Sequence, residues 1–407
     1  MTRLASLALA AVLLARPAAA QIKIAYVDPL TGPFANIGAQ GLQHFQAIVE
    51  KINAAGGVLG GQKLEIVTFD NKASPQDSLV AFKSLTDQGI RFMTQGNGSG
   101  VAHALVDAVN KHNARNPDRT VLYLNYAAVD PALTNEKCSF WHFRFDANSE
   151  QKMQVITDLL AKQPEVKKVY LLNQDYAHGH QVARYAEAML KKKRPDVQIV
   201  GNDLHPIGTV KDFAPYVAKI AASGADVVIT GNWGNDITLL MRAARDGGLK
   251  AKFYTYYGGG PGVQAAVNVA GVDHLLQVTE WHKNLEPNKA LPYALEYKKR
   301  YNTDFYFLRV NNLVQMLARA LELARSADPL KVAQALEDMR IEGDTGEIWM
   351  RKDDHQLMQP LYVSTMARAD GKDPRYDIDG SGYGFRTNFA VPASATVVPT
   401  TCKMARP

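Results

Sequence analysis

Cysteine is nearly missing: Cys138 and Cys402 are the only two in 407 residues. None stands at Gln21, where a lipid anchor would need one after removal of a leader. None joins His178-x-His180 in a metal shell either, and an i,i+2 pair does not share one helix face, so no metal site is expected. Long apolar runs are also lacking. Beyond the first twenty residues no stretch reaches about 18 uncharged apolar positions, which excludes stable membrane insertion by an ordinary spanning helix. A strong charge of one sign is absent. The formal net charge of +6 falls to about +4 without Arg3 and Arg16, too little and too scattered for a nucleic-acid partner. Its densest patch, Lys191 to Arg194, closes a predicted helix as a solvated last turn. No G-x-G-x-x-G follows the first strand and no Gly-Lys-Ser/Thr closes a phosphate cradle, so no cofactor is expected. Gly96 to Gly100 carries its serine one place too late for a nucleophile elbow, and no acid/base pair is recognisable. Catalysis is not expected.

What is present begins with an export leader. Arg3, the apolar stretch Leu4 to Ala15 and Ala18-Ala19-Ala20 form a charged start, a core and a cleavage site before Gln21. The expected product is extracytoplasmic. In that oxidising setting Cys138 and Cys402 form either one disulfide tying the tail to the body or two partly buried thiols.

Strand and helix signals then alternate. The run from Lys23 through Val27-Asp28 empties into Pro29 to Phe34 and the amphipathic segment Gln40 to Asn53. Further strands are predicted at Leu64 to Phe69, Ile90 to Thr94 and Thr120 to Leu124, with helices between them. After Phe143 to Asp146 the series restarts, with strands at Val169 to Leu172, Val197 to Val200, Asp226 to Thr230 and Phe253 to Tyr257. Runs apolar throughout predict parallel strands covered on both faces, and the intervening helices are the crossovers such strands need. The class is α/β, with two similar doubly wound lobes. Helices are predicted over Pro292 to Tyr301, Tyr306 to Ala324 and Pro329 to Met339, then strands at Glu347 to Arg351 and Leu361 to Ala367. After Gly371 the Gly/Pro/Asp-rich chain predicts irregular structure.

In such sheets ligands sit outside the carboxyl ends of the strands. Gly98, Ser99 and Gly100 open a predicted helix, where unpartnered N–H groups and a hydroxyl hold a carboxylate; capping by Ser99 is the competing or coexisting role. Tyr176 and Trp233 follow strands at corresponding places in the second set, suited to closing over a ligand or to packing between elements. Tyr256 and Tyr257, before three glycines, and Tyr126, after the Thr120 strand, complete the aromatic candidates. Carboxylates at Asp28, Asp70, Asp130, Asp146, Asp175 and Asp236 stand near strand ends, either to balance a cation or to tie loops.

These segments resemble the extracytoplasmic solute-binding proteins of branched-chain amino acid ABC transporters. The likeness rests on Thr31-Gly32-Pro33-Phe34-Ala35-Asn36-Ile37-Gly38, the block Asn53-Ala54-Ala55-Gly56-Gly57-Val58-Leu59-Gly60-Gly61, Phe69-Asp70-Asn71, Asp130-Pro131-Ala132-Leu133-Thr134 and Asp175-Tyr176-Ala177-His178-Gly179. It implies a type I periplasmic binding protein fold, a location in the periplasm, a monomer, and delivery of a small carboxylate-bearing ligand to a membrane permease. On that plan residues 1–20 are the leader, 22–144 with 280–350 form one lobe, 145–279 with 351–395 the other, and 396–407 a tail. Ser99 matches the family's carboxylate-holding serine, and Ala128 still offers its backbone. Val129 stands where the family has a threonine, and Tyr257 where it has the acidic residue that meets the ligand's ammonium. A buried ammonium without a charged partner is expensive. The expected ligand is therefore an organic acid, an aromatic carboxylate among the candidates, rather than leucine, isoleucine or valine. A ligand-sensing domain of the same fold and an α/β enzyme are the alternatives.

Overall fold

The computed structural model describes residues 21–407, so the leader reading lies outside the described residues. The chain opens with β1 (Ile22–Asp28), buried at every position but Lys23, then α1 (Ala35–Ala54), β2 (Leu64–Asp70) and α2 (Pro75–Asp87). Ser74 accepts from the Asp77 N–H and Pro75 occupies the first turn of α2, which starts that helix where the sequence signals it. β3 (Phe92–Gln95), α3 (Ser99–Arg115), β4 (Leu122–Asn125) and β5 (His142–Arg144) complete a parallel sheet ordered β2-β1-β3-β4-β5. Alternate residues of β1 serve opposite faces. Ile24 and Tyr26 pack with Phe45 and Leu313, while Ala25 and Val27 pack with Leu85 and Leu105.

The second sheet follows the same plan. α4 (Ser149–Leu160) begins with a capping box between Asn148 and Gln151. β6 (Lys168–Gln174), α5 (Ala177–Lys193), β7 (Gln198–His205), α6 (Ala214–Ser223), β8 (Val227–Thr230), α7 (Asn235–Asp246), β9 (Lys252–Thr255), α8 (Val263–Val267) and β10 (Leu275–Thr279) follow. The parallel part is ordered β7-β6-β8-β9-β10, which repeats the first sheet's arrangement strand for strand. The chain then returns to the first sheet through α9 (Leu291–Tyr301), α10 (Leu308–Ala324) and α11 (Pro329–Leu336), whose apolar faces share a core with α1. A three-stranded sheet of β11 (Arg340–Gly343), β12 (Gly346–Met350) and β13 (Leu357–Met358) lies beside them. β14 (Leu361–Arg368) and β15 (Tyr383–Val391) finally add antiparallel strands to the β10 edge.

The result is a bilobed α/β fold whose two parallel-sheet cores are linked by three crossings: β5 to α4, β10 to α9, and β13 to β14. Two sequence expectations change. The chain joins the second sheet at Leu361 and not at 351, because β13 still pairs with β12. The segment after Gly371 is not irregular throughout, since β15 pairs with β14 along its length. Its period-2 signal (Tyr383, Phe385, Thr387, Phe389, Val391) is set among glycines and polar residues that mask it. Cys138 and Cys402 form a disulfide with Cα atoms 5.7 Å apart, which settles the choice between bond and thiols. No helix among the described residues is long and apolar enough to cross a membrane.

Candidate functional site

Strand order reverses between β1 and β3 in one sheet and between β6 and β8 in the other. A crevice must open outside the carboxyl ends at each reversal, because the flanking helices leave to opposite faces. Here the loops from both reversals face one another across a cleft with about 1110 Å³ of unfilled space, counting its open mouth.

On the first lobe the cleft wall is the β3–α3 loop, Gly96 to Ser99. Asp28, at the end of β1, holds that loop from behind, accepting from the Asn97 N–H at 2.9 Å and the Gly96 N–H at 3.2 Å. Burial lifts the Asp28 carboxyl to about 7 despite these donors. Asp28 is therefore a loop tie. The Ser99 hydroxyl accepts from the Asp130 N–H at 3.2 Å, which leaves its own proton for a ligand oxygen. Ser99 is also the first residue of the 17-residue helix α3, where unpartnered N–H groups favour an anion.

On the second lobe Tyr176 and Trp233 stand before α5 and α7. The Trp233 Nε1–H donates to the Tyr176 hydroxyl at 2.7 Å, fixing both rings as a unit. Phe34 of the first lobe stacks on Trp233 with ring centroids 4.3 Å apart, and the Asn235 Nδ2–H donates to the Pro33 carbonyl at 2.8 Å. These contacts join the two lobes at the mouth. Gly234 is needed there: its φ is +63°, and a Cβ would come within 2.8 Å of the Phe34 ring.

The hinge end of the cleft is charged. Glu280, just past β10, accepts from Arg309 Nη1 at 2.8 Å. Lys152 of α4 lies 2.9 Å from Asp146, and its ammonium sits 4.7 Å from the Tyr257 ring centroid. Burial by itself would lift Glu280, but Arg309 and then Lys152 outweigh it and hold the carboxyl below its ordinary range. Burial pushes His178 down to about 4, so it is neutral at pH 7, placed between the Ser149 hydroxyl and the Gly231 carbonyl. His180 instead faces Asp175 at 2.9 Å. Among the described residues no group of three His, Cys, Asp or Glu side chains is placed to hold a metal.

The structure thus brings Gly98, Ser99, Tyr176, Trp233 and Tyr257 to one cavity. Three other sequence candidates lie elsewhere. Tyr126 is buried in the first lobe's core, its hydroxyl 3.1 Å from that of Tyr26 and accepting from the Asn97 amide at 2.9 Å. Gly100 and Ala128 do not line the cavity, whose wall is made instead by Ala127 and Val129. Asn125 explains the difference, since its Oδ1 accepts from the Ala127 and Ala128 N–H groups and its Nδ2 donates to the Ala128 carbonyl. Sequence reasoning missed Phe34, Lys152, Glu280 and Arg309. Phe34 sat in the quoted Thr-Gly-Pro-Phe motif, but the other three carried no local signal.

Two hinged lobes with a cleft between them, lined by apolar surface and a few polar and charged groups, define a receptor for a small solute. A family model described as periplasmic binding protein matches residues 21–372. Leu/Ile/Val-binding protein homolog 4 of Brucella abortus (strain 2308) is 33% identical over 417 residues, covering 99% of this chain and 98% of its own. The crystal structure of a leucine-, isoleucine-, valine-, threonine- and alanine-binding protein from Brucella ovis, in a closed conformation, has a TM-score of 0.85 at 31% identity, covering 96% of this chain and all of that one (100%). A solute-binding protein of an ABC transporter from Rhodopseudomonas palustris BisB5, in complex with 3,4-dihydroxybenzoic acid, has a TM-score of 0.79 at 19% identity, covering 92% and 98%. That last likeness is one of fold alone.

The chain belongs to the periplasmic binding protein family, in its Leu/Ile/Val-binding branch. It is a non-catalytic protein of the periplasm that carries a small molecule to the membrane permease of an ABC importer. The expectation of an organic or aromatic acid does not stand. The relatives above 30% identity are named for leucine, isoleucine and valine, whereas the dihydroxybenzoate complex shares only the fold. The physical premise also fails. Whatever stands at the position expected for Tyr257, Glu280 brings a buried carboxylate to the same cavity just past β10.

Proposed function

We propose that this protein captures a branched-chain aliphatic amino acid for import. The α-carboxylate is held by the Ser99 hydroxyl and the Ser99 N–H at the head of α3, and the α-ammonium lies towards Glu280. The side chain rests on Ile37, Ala127, Val129 and Trp233, all of which face the cavity. The observation that carries this reading is the pairing of opposite ends in one cleft. An anion-holding helix start lies on one wall and a buried carboxylate on another, with apolar surface between them. A zwitterion with an apolar side chain matches that order of groups. Leu/Ile/Val-binding relatives support it.

Binding only to the folded state must raise the melting temperature, by about 2.7 kcal/mol of stability at a hundredfold excess over Kd. A thermal-shift panel of leucine, isoleucine and valine against hydroxybenzoates is expected to show stabilisation by the amino acids, confirmed by calorimetric titration. Stabilisation by the aromatic acids with none from the amino acids would overturn the assignment.

A further inference from the structure

Four buried charges run across the hinge. Glu280 of the second crossing meets Arg309 of α10 at 2.8 Å, Arg309 Nε is 3.7 Å from Asp146 of the first crossing, and Asp146 meets Lys152 of α4 at 2.9 Å. All four side chains are 7% exposed or less. Two cations and two anions cancel. The other charged side chains lining the cavity, Lys283 and Asp304, are joined by Lys298 and Asp377 and are balanced on their own account. His178 and His282, held down to about 4 and about 3 by burial, add no charge at neutral pH.

Three of the four, Lys152, Glu280 and Arg309, face the cavity, while Asp146 stands behind them. The two Asp146 oxygens make no well-aligned hydrogen bond, so Asp146 acts on its neighbours by charge more than by geometry. A closed cleft excludes the water that would screen a surplus charge, and a buried charge without a counter-ion is strongly unfavourable. Neutrality of the wall is therefore a demand on what it can enclose.

We propose that the Glu280–Arg309–Asp146–Lys152 relay makes the cleft select amino acids of zero net charge, and that Lys152 and Asp146 set this selectivity by cancelling one another. The inference rests on the amino acid reading above and adds which side chains are refused. Lysine would bring a surplus positive charge and glutamate a surplus negative one, and neither has a free partner in the relay. Removing one member changes the choice. Lys152→Met leaves the wall one charge negative and admits lysine, whereas Asp146→Asn leaves it one charge positive and admits glutamate.

The test is calorimetric titration of L-leucine, L-lysine and L-glutamate into the full-length mature protein, with melting curves as a check of folding. The expected result is a wild type that prefers leucine to both charged ligands. The leucine-to-lysine affinity ratio should fall on the order of a hundredfold in Lys152→Met, and the leucine-to-glutamate ratio should fall similarly in Asp146→Asn. The double variant Lys152→Met/Asp146→Asn should recover the preference for leucine, because it restores neutrality without restoring either side chain. If Lys152→Met fails to fold, Asp146→Asn and the double variant decide the matter. Unchanged ratios in folded single variants, or a double variant that keeps a single variant's preference, overturn the inference while the amino acid reading stands. A wild type that binds no amino acid overturns that reading, and the inference falls with it.

Discussion

Asp28 places an unusual pH dependence on folding. It is wholly buried, and its carboxyl is lifted from the ordinary 3.8 to about 7, mainly by loss of solvation and against the pull of the Asn97 and Gly96 N–H groups. Between those two values the folded chain keeps a proton that the unfolded chain releases. Stability from this group is therefore complete below pH 3.8 and is lost as pH rises through about 7. At about 1.4 kcal/mol per pH unit, the gap from 3.8 to about 7 amounts to about 4 kcal/mol. Surface carboxylates run the other way. Asp196, held low by Arg194 and Lys167, loses its contribution as pH falls. The measurement must therefore be a difference. Urea unfolding of wild type and Asp28→Asn from pH 4 to 8 is expected to give curves that diverge. Wild type should lose about 4 kcal/mol relative to the variant over that range, whatever constant offset the substitution adds. Parallel curves would show that Asp28 is ionised throughout and would refute the burial argument.

Trp233→Ala removes the ring that stacks on Phe34 and donates to Tyr176. Loss of about 2–4 kcal/mol from closure should weaken ligand affinity by roughly 30- to 1000-fold. The melting temperature of the unliganded protein should hardly move, and unaltered affinity would show that the ring only packs. The paired substitution Cys138→Ser/Cys402→Ser frees a tail that also bonds Thr134 and Asn135 of the first lobe. It should lower unfolding stability by about 2–5 kcal/mol in urea titration, and a reductant should bring the wild type to the same value. A wild type indifferent to reductant would refute this.

Much of the fold was legible because its signals are local. The apolar run of β1 and the Gly98-Ser99 opening of α3 each act within a few residues. The loops at strand ends were legible for the same reason, and with them Ser99, Tyr176 and Trp233. Position after a strand does not say which way a side chain turns. Tyr126 and Tyr176 look alike in sequence, yet Tyr126 faces the core because Tyr26 and Asn97 are there to satisfy its hydroxyl. β15 was missed for a different reason: its alternation is spread among residues that otherwise favour turns, and its stability comes from pairing with β14.

The amino-acid sequence alone determined the twin α/β plan, the likeness to solute-binding proteins and one wall of the cleft, since periodicity, caps and strand-end loops are written in neighbouring residues. Only the tertiary structure decided what the cleft can hold. Glu280, Arg309 and the Asp146–Lys152 pair come from three separate stretches of chain, and Phe34 meets Trp233 only across the two lobes. Charge balance and shape depend on distances through space, and between residues so far apart in the chain those distances are set by the packing of whole lobes.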